Sequence, residues 1–437
     1  MTVREIGALL RARKISCAEL IDQTFADLKK REAFGSFITL TEESARGEAV
    51  ERDRELAAGV DRGPFHGIPI AHKDLFYTRG VRTTAGSLIF RDFVADYDAD
   101  VVSRLKRAGA ISLGKTNLHE LAYGITSKNP HYGFVRNPRD PARLAGGSSG
   151  GSAALVAAGF IPMATGTDTG GSIRIPASYC GITGLKPTYG VLSRRGVLPL
   201  SFSLDHVGPL GSCVEDCAFA MNAMTDGAFD LPPADLKIVR VGLPLNFYFD
   251  RVDEEVAAAV RRAVSELEGA GASVRSLRVP DPEEINTAAR IVQLSESAAL
   301  YASYTDSRLF GEDVWALIQQ GKMISAHEYV NGQRIRSLFR RDFNRLWQQI
   351  DVLVTPATPI VAPPLEAATV QIGGQREDTR MASTRLARAI NFLGEPALAM
   401  PCGLAGGGLP IGLQLIGRPG SDARLLAIAK ALETRLV

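Results

Sequence analysis

The sequence predicts an α/β fold with one large sheet, and two observations carry that reading. Short apolar runs of strand length alternate with amphipathic, helix-length segments along the chain. Glycine is dense up to about residue 226 and thins after it, which separates a glycine-rich core from a charged middle segment. The expected organisation is a single domain: N-terminal helices in 1–59, a core in 60–226 and 350–437 that shares one sheet, and an insertion-like cap in 227–349.

The elements follow in order. Residues 3–32 read as helices, with Ser16 as an N-cap and Glu19 at capping-box spacing. Residues 41–58 read as a helix ended by Gly59. Gly67–Lys73 is short and apolar, a buried strand. Residues 99–108 form an amphipathic helix stopped by Gly109, and Ala110–Leu113 a strand after it. Ala153–Ala158 is small and apolar, a buried helix, and residues 160–165 a strand. In the middle segment, 253–271 is a helix, 273–279 a strand, and 282–304 and 312–349 mostly helix. Asp351–Thr355 and Gly412–Ile416 are strands, and 421–435 a closing helix.

Bulk composition is ordinary for a globular chain: 437 residues, 45% hydrophobic, 22% charged. A net charge of +2 calls for neither a nucleic acid nor an anionic membrane as partner. No apolar run is long enough to span a bilayer, and no signal-peptide pattern opens the chain. Five cysteines without a C-x-x-C pair suggest neither a zinc cage nor a disulfide framework, and a cytoplasmic setting fits best. The six histidines (66, 72, 119, 131, 206, 327) lack metal-ligand spacing, so no metal or cofactor is expected.

The chemistry lies in three segments. Gly146–Ser152 and Gly166–Arg174 are rich in glycine and serine, and Lys73 ends the apolar run from Gly67. A serine attacks a carbonyl only with a base to take its proton, and a buried lysine can be that base because burial favours the neutral amine. Gly170 and Gly171 precede Ser172 and let successive backbone N–H groups converge on one oxygen. This is an acyl-transfer site without histidine.

At these residues the chain resembles the amidase signature family of serine hydrolases. The resemblance is strong over residues 60–225 and continues through Asp351–Pro356 and Asn391–Ala397. It implies a single large mixed sheet with helices on both faces. It also implies Ser172 as nucleophile, Ser148 as the relay after a cis peptide bond from Gly147, and Lys73 as base. The oxyanion hole would be the N–H groups of Thr169, Gly170 and Gly171. Asp168 and Arg174 are read as a structural ion pair, with binding of a substrate carboxylate by Arg174 as the sharper alternative. Ser149, Thr167 and Thr169 are read as loop hydrogen-bond partners, and Asn129 and Tyr132 as residues bordering the site. Phe247, Tyr248, Phe249, Tyr301 and Tyr304 are candidates for the pocket walls, and His72 for the site lining.

Two motif matches are rejected on context. Gly109–Thr116 fits the P-loop pattern, but its middle is apolar and strand-like and a helix precedes it. Gly147–Gly151 fits a nucleophile elbow centred on Ser149, but the preceding residues make a poor strand. Arg334, Arg336, Arg340, Arg341 and Arg345 read as the solvated basic face of a helix.

The resulting expectation is a stand-alone amidase that hydrolyses a linear carboxylic amide to acid and ammonia or amine, with ester cleavage as a side activity. Its only partner would be a small-molecule amide; a homodimer is neither required nor excluded. The alternative is the glutaminase subunit of a tRNA-dependent amidotransferase. Leu75-Phe76 stands against that alternative, because those subunits usually show Asn-Ile after Lys-Asp. The Leu192–Gly208 stretch also looks more like general amidases.

Overall fold

A computed structural model describes residues 1–30 and 32–436. Residue 31, inside the predicted helical stretch 3–32, lies outside the described residues. Eleven strands form one sheet: β1 Phe37–Leu40, β2 Pro69–Lys73, β3 Ile111–Thr116, β4 Met163–Asp168, β5 Thr183–Lys186, β6 His206–Gly211, β7 Arg240–Pro244, β8 Ser273–Leu277, β9 Val352–Pro356, β10 Ala397–Leu404 and β11 Pro410–Gly417. Their order is β1-β3-β2-β4-β6-β5-β10-β11-β9-β7-β8. The β2 pairings with β3 and β4, and the β7 pairings with β9 and β8, are parallel; the other pairings are antiparallel. The sheet is therefore mixed, as expected, and the core and tail segments do share it.

Burial explains the strand sequences. β2, β3, β4, β6 and β9 are buried at every residue, which is why they read as continuous apolar or small runs rather than alternating ones. The helix Gly150–Ala157 lies against the sheet on small side chains. A Cβ on Gly151 would stand 2.4 Å from Asn117 O and 2.6 Å from Ser36 O, so only glycine permits this approach. At the N-terminus, Ser16 and Glu19 form the predicted reciprocal pair: Glu19 N donates to Ser16 Oγ and Ser16 N to Glu19 Oε2.

Residues 227–349 contribute to two layers. β7 and β8 extend the sheet to its far edge, while the helices Glu312–Lys322 and Ala326–Leu346 each pack against Pro282–Leu300, which also packs against the short helix Arg388–Leu393. The basic helix face is not all solvated as expected. Arg336 is buried, donating to Phe392 O and Ser203 O, and Arg340 Nε donates to Leu393 O. These two arginines tie the helix to carbonyls left open at the end of the short helix Arg388–Leu393.

β1, β5, β6, β7 and β10, and the helix Val214–Met224, escaped the sequence reading. β5, β6 and β10 are short or glycine- and proline-bearing, and carry neither period clearly. Among the described residues, no helix is long and apolar enough to cross a membrane.

Candidate active site

β2 ends at Lys73 and β4 at Asp168, side by side in the sheet, with Ala71 opposite Ala164 and His72 opposite Thr165. This register carries the lysine to the two glycine-serine segments. Lys73 is fully buried, and its Nζ lies 2.7 Å from Ser148 Oγ and 2.7 Å from Thr167 Oγ1. The Gly147–Ser148 peptide is cis. Ser149 N donates to Ser172 O (3.2 Å), which pins the first segment to the second. Ser149 Oγ donates to Thr167 O and is buried, so it belongs to the loop framework and not to an elbow.

Burial pushes the Lys73 amine down to about 7, against the opposing pull of Asp168 and Asp205. Two other buried lysines provide contrast. Lys115, the lysine of the rejected P-loop match, stands 3.3 Å from Asp74 and donates to Phe76 O and Thr83 Oγ1, so it is consumed by the core. Lys186 Nζ donates to Pro187 O and Glu395 O, and burial, aided by Arg174, pushes it down to about 7.

The loop after β4 is organised by one carboxylate. Asp168 accepts from Gly171 N (2.7 Å), Ile173 N (3.2 Å), Arg174 N (3.4 Å), Arg174 Nε and Nη2 (both 3.0 Å) and Asn391 Nδ2 (2.8 Å). Burial alone would raise this carboxyl; the Arg174 guanidinium and the other donors hold it well below the usual range. Arg174 spends its remaining donors on Gln414 Oε1, Ala387 O and Asn391 Oδ1, and is fully buried. It holds the loop and is not among the residues that line the cavity at Ser172, so the reading in which it binds substrate is set aside. The Gly171 N–H is likewise committed. Among the described residues, the N–H groups of Thr169, Gly170 and Ser172 have no protein acceptor. Thr169 Oγ1 donates to Asp205 Oδ1 (2.6 Å), whose carboxyl burial pushes up to about 6.

Ser172 opens on a cavity of about 300 Å³. Its floor is Thr169, Gly170 and Ser172. Its walls come from Tyr123, from Arg290 and Gln293 on the helix Pro282–Leu300, from Leu317 and Gln320 on Glu312–Lys322, and from Arg380, Thr384 and Arg388. Residues of the middle segment line this cavity, but not the aromatic ones proposed for pocket walls. Tyr301 Oη donates to Pro199 O, and Phe247 and Tyr248 are packed in the core. Asn129 bonds Gly86 O and Leu118 O and accepts from His131 N and Tyr132 N; neither it nor Tyr132 lines the cavity. His72 turns to Thr165 Oγ1, and burial pushes it down to about 3. Arg290, Gln293 and Arg388 were missed, because nothing local in the sequence marks them; only the packing of helices distant in sequence does. Among the described residues, no three His, Cys, Asp or Glu side chains cluster as metal ligands would.

The Amidase family model matches residues 19–426. The chain belongs to the amidase signature family. It is 39% identical to the glutamyl-tRNA(Gln) amidotransferase A subunit of Azoarcus sp. (strain BH72), over 98% of this chain and 96% of that protein. It is 38% identical to the protein of the same name from Ralstonia nicotianae, over 99% and 97%. A solved amidase structure superposes with a TM-score of 0.95 at 36% identity, covering all of both chains.

These full-length relatives overturn the expectation of a stand-alone enzyme whose only partner is a small molecule. The argument from Leu75-Phe76 fails for a physical reason. Both side chains are buried, so the positions report local packing and carry no information about a partner.

Proposed function

We propose that the chain is the amide-cleaving component of an amidotransferase of the kind its relatives are named for, releasing ammonia from a carboxamide donor, glutamine foremost, for use by partner subunits. The observation that carries this reading is the near full-length similarity to those amidotransferase proteins. The site geometry supports the chemistry. Ser172 attacks the donor carbonyl, and its proton moves through Ser148 to Lys73, whose depressed basicity suits a base near neutral pH. The N–H groups of Thr169, Gly170 and Ser172 hold the oxyanion, replacing the committed Gly171 N–H.

As the tetrahedral adduct collapses, the C–N bond breaks and the leaving nitrogen takes the proton back from Lys73, departing as ammonia. Water then enters by the same relay, cleaves the acyl-Ser172 ester and leaves the carboxylic acid. An ester substrate would enter the same acyl-enzyme.

The test is a reconstitution with glutamine labelled by ¹⁵N in its amide. Label should appear in the product of the assembled complex, and a Ser172→Ala chain in the same complex should transfer none. Free glutamine turnover that no partner ever couples to an acceptor would refute the amidotransferase reading.

A further inference from the structure

The cavity wall holds a cation without a counter-charge. Arg388 is half-buried beside the oxyanion loop: a methyl group on Gly170 would stand 3.9 Å from its Nε and 3.9 Å from Gln293 Oε1. Its one hydrogen bond among the described residues runs from Nη2 to Thr384 Oγ1 (2.8 Å). Its Nε is out of solvent and has no partner among them. Burial pushes the guanidinium down to about 10, with Arg290 and Arg380 pushing the same way, so it remains charged at neutral pH.

The neighbouring charges differ in kind. Arg380 is balanced by Asp313 at 3.4 Å. Among the described residues, Arg290 bonds only neutral groups, Met381 Sδ and Gln320 Oε1. Asp378, the one carboxylate among the described residues that line the cavity, is exposed and accepts from Arg380 N and Met381 N. The other buried arginine beside this loop, Arg174, is saturated by Asp168, which makes the unpaired state of Arg388 a feature of the cavity rather than of the fold. A partly desolvated cation without a counter-charge is unfavourable, and an anionic ligand removes the penalty.

We infer that Arg388, with Arg290 beside it, is a specificity-determining pair that seats a carboxylate of the amide donor. The substrate class is then a primary carboxamide that also carries an acidic group. This rests on the reading of Ser172 as nucleophile and deepens it by assigning the far end of the donor.

The test is calorimetric and needs no turnover. The Ser172→Ala chain is titrated with glutaramic acid, which carries one carboxylate and one amide, and with glutaramide, its neutral diamide. The acid should bind roughly 10–100-fold more tightly, as expected for losing or keeping charge-assisted hydrogen bonds. Adding Arg388→Gln should remove that preference, with the larger loss falling on the acid, and Arg388→Lys should keep part of it. Should Arg388→Gln fail to fold, the Lys variant and the two-ligand comparison in the Arg388 parent still decide. Equal affinity for the two compounds, or no heat with either, overturns the proposal. A carboxylate preference in a chain that never passes ammonia to a partner would leave this site standing and sink the amidotransferase reading. Glutamine-driven transfer indifferent to Arg388 would do the reverse.

Discussion

Lys73 Nζ sits 2.7 Å from Ser148 Oγ, and among the described residues no carboxylate lies within ion-pair distance of it. Lys115, on the neighbouring strand β3 and equally buried, has Asp74 at 3.3 Å. The difference decides what each lysine can do. Lys115 is held in the core by a carboxylate, whereas an unpaired amine in contact with two hydroxyls is free to exchange a proton.

Removing any member of the Lys73, Ser148, Ser172 set should stop turnover. Ser172→Ala and Lys73→Ala are each expected to lower kcat by about 10⁴-fold or more, the scale seen when a nucleophile or its base is deleted. Steady-state ammonia release checks this. Wild-type rates for Lys73→Ala at pH 7 would show that the base lies elsewhere.

The pH profile follows from the sign of the Lys73 shift. Burial lowers the amine from 10.5 to about 7, so the neutral, proton-accepting form grows as pH rises through that value. The profile of kcat/KM should rise about tenfold per unit below it and flatten above. The same shift means that the folded chain binds fewer protons at Lys73 than the unfolded chain between about 7 and 10.5. The Lys73 contribution to stability therefore increases with pH across that window. A rate that falls through this range would contradict the assignment.

Arg174→Ala should destabilise the fold by roughly 3–5 kcal/mol, because it strands the fully buried Asp168 carboxylate. Denaturant unfolding measures this. A change below about 1 kcal/mol would mean that the loop is held by other contacts.

Gly171→Ala should damage both activity and stability. Gly171 has φ of +119°, and an added Cβ would meet Ile175 Cδ1 at 2.6 Å and Ala387 Cβ at 2.8 Å. The loop must shift to relieve this, and it carries Thr169, Gly170 and Ser172 with it. A variant with unchanged melting temperature and rate would show that the loop geometry is not critical.

Much of this was legible in the sequence, and the limits are physical. The glycine-serine segments and the run Gly67–Lys73 are local signals, since glycine marks close backbone approach and an apolar strand marks burial. Together they announce the lysine and both serines. The role of Arg174 was open because a sequence does not tell an arginine that meets one buried aspartate from one that meets a ligand; here the donors that converge on Asp168 come, Asn391 apart, from its own loop. Arg388 was invisible because its meaning lies in what it lacks, a counter-charge, and that depends on helices nearly a hundred residues upstream. Partnership was misjudged because Leu75 and Phe76 are core residues, whose identity answers to packing.

The most direct test is ammonia release from glutamine by the purified chain, alone and with candidate amidotransferase partner subunits, in wild type beside Ser172→Ala. The account predicts release that depends on Ser172 and is coupled to an acceptor once the partners are present. Release that persists in Ser172→Ala, or a wild type that cleaves other amides but never glutamine in either setting, would contradict it.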